Sequence, residues 1–148
     1  MTGSGESAKR YENIFSKDIV VLHVDDDSAW LEVTKESLET DCEFIDIITT
    51  DSASAALSQL EDLPDHFDCV VTDQKMPGMT GIELVKAIRE RGLRIPTVLY
   101  TSCGNNGIAT KAIEAGAVEY VQKSAGTDHY VLLANRIVSA VARHQFQE

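Results

Sequence analysis

The sequence predicts an α/β fold, a doubly wound parallel sheet with helices on both faces. From Asp18 onward, short apolar runs alternate five times with stretches of helical periodicity. Parallel strands need crossovers, and five β-α repeats of this length supply them. Right-handed crossovers then spread the helices over both faces of the sheet. A chain of 148 residues accommodates one such domain with a real hydrophobic core.

The first run is IVVLHV, Ile19 to Val24, and a helix starts after it near Asp27 or Ser28, with Leu31, Thr34 and Leu38 at helical spacing. EFIDIIT, Glu43 to Thr49, is the second strand, and the helix following Asp51 runs through SASAALSQL. FDCVVT, Phe67 to Thr72, is the third, and its helix follows Thr80 through GIELVKAIRE and stops before Gly92. PTVLYT, Pro96 to Thr101, leads to a helix from Asn106 to Ala115 that ends at Gly116. AVEYVQ, Ala117 to Gln122, precedes a last helix beginning after Thr127, whose apolar face carries Tyr130, Leu133, Ile137, Val138 and Val141. Residues 1–17 are rich in Ser, Gly and charge and are expected to form a flexible arm. The domain is expected over 18–145, with a short tail at 146–148.

Apolar content of 43% and charged content of 25% are those of a globular protein. No window approaches the roughly 20 apolar residues of a membrane span. MTGSGESAKR at the N-terminus lacks a signal-peptide core, so the expected location is the cytoplasm. Three widely spaced cysteines, Cys42, Cys69 and Cys103, argue against a disulfide framework and against a zinc site. A net charge of -11 disfavours nucleic acid and anionic lipid and suits cations or basic partners.

In a doubly wound sheet the ligand site lies at the carboxyl ends of the strands, where the strand order switches. Those ends carry Asp25, Asp26 and Asp27 in VLHVDDDSAW, then Asp73, then Thr101 and Ser102, then Lys123. Singly, each has a plain structural explanation: an acidic run that caps a helix, an Asp that opens a turn, a Thr cap, a surface Lys. Together they suit phosphate chemistry. Asp25, Asp26 and Asp73 supply the hard oxygen ligands that magnesium requires, and the cation relieves their mutual repulsion. Asp73 can also act as a nucleophile that forms an acyl phosphate. Lys123 and the Thr101 hydroxyl can then stabilise the oxygens of the transferred group.

The motifs VDDDS, TDQKMPGMTG, YTS and YVQK together resemble those of the receiver domain of two-component response regulators, over about Asp18 to Arg143. The resemblance implies a flavodoxin-like strand order, 2-1-3-4-5. It implies phosphorylation of Asp73 by a sensor histidine kinase or a histidine phosphotransfer protein. It also implies Mg2+, with Mn2+ as a substitute, held by Asp25, Asp26, Asp73 and the backbone carbonyl of Lys75. Thr101 and Tyr120 are the implied switch pair, Ser102 a phosphate contact, and Lys75 and Cys103 the flanks of the path of the attacking water. Output passes to a downstream protein through the fourth helix, fifth strand and fifth helix. Such a domain catalyses only its own phosphorylation and dephosphorylation. The ending GTDHYVLLANRI is similar to that of archaeal receivers.

The chain departs from the family where Ser124 replaces the usual proline after Lys123. A non-proline cis bond costs about 3 kcal/mol, so a trans bond and a rearranged SAGTDHY loop are expected. Tyr120 also has an explanation as an edge-strand aromatic, and Trp30 is expected to pack its helix. His23 lies inside a strand, His66 and His144 on the surface and His129 at the start of the last helix, without ligand spacing.

Two other functions compete. A haloacid-dehalogenase-like phosphatase would use Asp25 in its Asp-x-Asp, but Ala29 stands where Thr or Val is expected and no cap domain fits. A pseudo-receiver would bind partners without phosphorylation. No basic recognition helix is evident, so output by protein contact is expected of a chain ending at Glu148.

Overall fold

The computed structural model describes residues 18–102, 106–124, 126 and 128–146. The expected arm, Cys103 and the last two residues of the expected tail lie outside the described residues. The elements are β1 (Ile19–Val24), α1 (Ser28–Asp41), β2 (Ile45–Thr50), α2 (Ala53–Asp62), β3 (Cys69–Thr72), α3 (Gly81–Glu90), β4 (Thr97–Thr101), α4 (Asn106–Ala115), β5 (Glu119–Gln122) and α5 (Asp128–Phe146). The five strands form one sheet in the order β2-β1-β3-β4-β5, and all neighbours are parallel. The order switches between β1 and β3.

Strand alternation sorts the core into two layers. Val21, Val71, Val98, Tyr100 and Val121 pack with Leu38 of α1 and Leu133 and Ile137 of α5. On the opposite face, Leu22, Val24 and Val70 meet Leu57 and Leu60 of α2 and Leu84 and Ile88 of α3. Leu99 continues that face against Ile82 and Val85 of α3 and Ala112 of α4. Because β1, β3 and β4 are covered on both sides, they are buried nearly throughout and mostly apolar, whereas the edge strands β2 and β5 are not.

Helix starts follow side-chain caps. Asp27 accepts from the Trp30 N–H. Thr80 and Glu83 form a reciprocal capping box at α3. Ser52, the residue after Asp51, caps α2, which opens at Ala53. Strands begin later than expected at Ile45, Cys69, Thr97 and Glu119. The residues just before them join the sheet by single backbone bonds, such as Asp68 N–H to Val20 and Val118 N–H to Thr97. Helix α5 runs to Phe146, one residue past the expected domain end, as helix termini commonly do. Among the described residues, no helix is long and apolar enough to cross a membrane.

Three backbone bonds carry the ladder past the strand ends: Asp25 N–H to Thr50 O (3.1 Å), Asp73 N–H to Val24 O (3.0 Å) and Lys123 N–H to Thr101 O (2.9 Å). Each of these residues stands two positions beyond a side chain on the α1/α5 face: His23, Val71 and Val121. Period-two alternation therefore presents Asp25, Asp73 and Lys123 on the same side of three different strands.

Candidate functional site

The consecutive aspartates do three different things. Asp25 is fully buried; its Oδ2 accepts from Lys123 Nζ at 2.7 Å and its Oδ1 from the Asp27 N–H at 3.0 Å. Burial pushes the Asp25 carboxyl above the usual range, and the Lys123 and Asp27 hydrogen bonds oppose that shift. Asp26 is exposed. Asp27 caps α1 and so holds Trp30 one turn into the helix.

Asp73, 8% exposed, closes the cluster from β3. Its Oδ1 accepts from the Gln74 N–H (2.8 Å), and its Oδ2 lies 3.4 Å from Lys123 Nζ. The loop after it is anchored from both directions. Gln74 O accepts from Gly81 N–H (3.0 Å), Gln74 Oε1 accepts from Ile82 N–H (2.9 Å), and Thr72 Oγ1 donates to Asp73 O (2.9 Å). This anchorage requires glycine at 81, because a Cβ there would collide with the Asp73 carbonyl oxygen and crowd Leu99 Cδ1 at 2.8 Å. The first turn of α3 thus rests on the backbone of Asp73.

Asp25, Asp26 and Asp73 each offer an oxygen within 4.8 Å of the other two. One cluster with one ammonium beside it still carries excess negative charge, and hard carboxylate oxygens fit a divalent cation. Lys75 is exposed in the loop that follows Asp73.

Thr101 is buried at the end of β4 and Ser102, next to it, is exposed. Leu99 pairs with Tyr120 and Thr101 with Gln122, so Thr101 and Tyr120 are diagonal neighbours on the α3/α4 face. Tyr120 is half-buried against Ile82, Val85, Leu99 and Ala112. The Lys123–Ser124 peptide is trans, as no cis bond occurs among the described residues.

Sequence reasoning missed an aromatic group behind the ammonium. Lys123 Nζ sits 4.8 Å from the Trp30 ring centroid and 5.7 Å from that of Tyr100. His129 stacks on Trp30 with centroids 5.7 Å apart and planes 20° apart, and its Nδ1 is 2.8 Å from Tyr100 Oη. Trp30 does pack its helix as expected, but it also faces the site. Its place one turn after Asp26 is a usable signal; His129, a residue with no ligand spacing, offered none. Burial holds the Tyr100 hydroxyl above its ordinary range and, together with the Lys123 charge, lowers that of His129.

Comparison with known proteins agrees with this geometry. Residues 21–135 match the family model of the response regulator receiver domain. The chemotaxis protein CheY of Pseudomonas aeruginosa is 36% identical over 105 residues, covering 70% of this chain and 82% of that protein. The transcriptional regulatory protein FixJ of Azorhizobium caulinodans is 33% identical over 102 residues, covering 69% of this chain. The chain spans about half the length of the FixJ relatives it matches, 47% in each. A response regulator receiver domain protein from Clostridium thermocellum superposes with a TM-score of 0.78 at 26% identity, over 88% of this chain and 99% of that one. The chain belongs to the receiver-domain family of two-component response regulators.

Proposed function

We propose that Asp73 accepts a phosphoryl group from the phosphohistidine of a sensor kinase or phosphotransfer protein, and that the modified domain signals by protein contact. One observation carries this reading: Asp73 is the carboxylate of the buried pair that retains access to solvent, with the Lys123 ammonium 3.4 Å from its Oδ2. An Asp73 oxygen attacks phosphorus, the bond from phosphorus to the donor nitrogen breaks, and the donor imidazole leaves with a proton. Lys123 neutralises charge on the transferred oxygens, and Thr101, with Ser102, offers hydroxyls to them.

Asp25, Asp26 and Asp73, with the carbonyl of Lys75, would hold Mg2+ or Mn2+, which supplies charge neutralisation for the incoming group. Lys75, exposed in the loop after Asp73, would shield the acyl phosphate from water. The switched surface is that of α4, β5 and α5, with Tyr120 as the half-buried reporter. A kinase-fed acceptor of this kind works in the cytoplasm and turns over no separate substrate.

The phosphatase reading fails on Asp25, whose two oxygens are both engaged and which has no exposed surface. The pseudo-receiver reading has no counterpart to the convergence of Asp73, Lys123 and the acid pair. Intact mass after incubation with Mg2+ and a small phosphodonor such as phosphoramidate tests the proposal. One phosphoryl group should be gained, dependent on the cation and on Asp26, and absent in Asp73→Asn. Uptake by Asp73→Asn that is lost in Asp25→Asn would instead restore the phosphatase.

A further inference from the structure

We propose that Trp30 is a positioning residue for phosphoryl transfer: its indole face holds the Lys123 ammonium at the edge of the carboxylate cluster, where the transferred oxygens arrive. This rests on the reading that Asp73 accepts the group. The Lys123 side chain is 10% exposed, with Asp25 Oδ2 at 2.7 Å and Asp73 Oδ2 at 3.4 Å on one side and the Trp30 ring at 4.8 Å on the other. Two carboxylates alone would let a flexible four-carbon chain settle against either one. Once a cation draws on Asp25 and Asp73 as ligands, that hold on the ammonium weakens, while the ring's attraction is unaffected by metal. An ammonium kept over the ring is already within reach of Asp73 Oδ2 and need not move far to meet a phosphoryl oxygen.

The ring itself is held. Asp27 accepts from the Trp30 N–H, fixing its backbone; His129 stacks on its face, and His129 Nδ1 is bonded to Tyr100 Oη. Tyr130 packs against the indole at 6.3 Å. The ring is also tilted against Tyr100, with centroids 6.2 Å apart. That arrangement suits a group whose use is its π surface. It also ties the ammonium to the start of α5 and to the residue beside Thr101.

Trp30 is the single tryptophan of the chain, so biosynthetic replacement by 5-fluoro- and 5,7-difluorotryptophan alters this ring alone. Fluorine weakens the negative potential of the face with little change of shape. The phosphorylation rate constant, read by intact mass with phosphoramidate at saturating Mg2+, should fall stepwise with each fluorine while the melting temperature stays level. Trp30→Leu should lower the rate about tenfold, whereas Trp30→Phe, which keeps a π face but loses similar packing, should recover most of it. In a Lys123→Met background fluorination should change nothing, because the partner is gone. A rate indifferent to fluorination in the wild-type background, with Lys123→Met still slow, would overturn the role of Trp30. Absence of phosphate uptake by the wild type, or uptake by Asp73→Asn, would overturn the underlying reading instead. Should Trp30→Leu not fold, the fluorinated proteins decide.

Discussion

His23 shows how burial sets the chemistry of a side chain. It is 1% exposed within β1, and neither ring nitrogen has a partner among the described residues. The void beside it, lined by Thr34, Leu38, Val71 and Leu133, has no room for water. Burial, with the nearby Lys123 charge, pushes its pKa down to about 3. In the unfolded chain the ring takes a proton below about pH 6.5. Between those values the unfolded state binds more protons, so this residue's contribution to stability rises with pH and is lost on acidification. His23→Leu should flatten the fall in stability between pH 6.5 and pH 4.5 by up to about 1.4 kcal/mol per pH unit. Urea unfolding of both proteins across that range measures it, with the remaining acidic groups common to both. Parallel pH profiles would remove His23 from the acid response.

Helix α3 has one end built for the site and the other for the chain reversal. At its start Gly81 touches the Asp73 carbonyl, and that oxygen cannot swing aside as a flexible side-chain tip would. At its far end Gly92 has a φ of 78°, with open space around a would-be Cβ. Gly81→Ala should cost about 1–3 kcal/mol by overpacking and also slow phosphate uptake, because the helix must move away from the acceptor. Gly92→Ala should cost about 1–2 kcal/mol in backbone strain and leave uptake unchanged. Chemical unfolding paired with phosphorylation kinetics separates the two effects. Equal uptake rates in both variants would show that α3 does not set the position of Asp73.

Across the whole molecule, the acid-lysine cluster and the expected switch pair lie on opposite sides of the sheet, and the expected output surface of α4, β5 and α5 spans both sides. Asp25, Asp73 and Lys123 project on the α1/α5 side, whereas Thr101 and Tyr120 share the α3/α4 side. Coupling between the cluster and Tyr120 crosses the sheet, and Thr101, buried at the end of β4, is its expected carrier. A phosphoryl group shifts the population of states only by contacts that differ between them, and such couplings are typically about 1–3 kcal/mol. Thr101→Ala should still accept phosphate on Asp73, while the phosphorylation-induced change in amide hydrogen exchange over residues 106–122 shrinks. Undiminished exchange changes in Thr101→Ala would place the coupling elsewhere.

Much of this protein was legible in its sequence because strand and helix periods are local properties. β1 was readable to the residue and α4 in outline, and the cap at Thr80 and the inward face of α1 followed from spacing. The strand order came from family likeness, since two doubly wound orders suit the same alternation. Asp25, Asp73 and Lys123 could be listed together because each follows a strand, and the ladder bonds past the strand ends hold them where that position implies. What the sequence by itself determined was the set of chemical groups and the end of the sheet at which they stand. Tertiary structure alone decided which oxygen of Asp25 meets Lys123 and that Trp30, Tyr100 and His129 gather behind the ammonium. The last three come from α1, β4 and α5, and their contact depends on side-chain packing between separate elements, which no local period encodes.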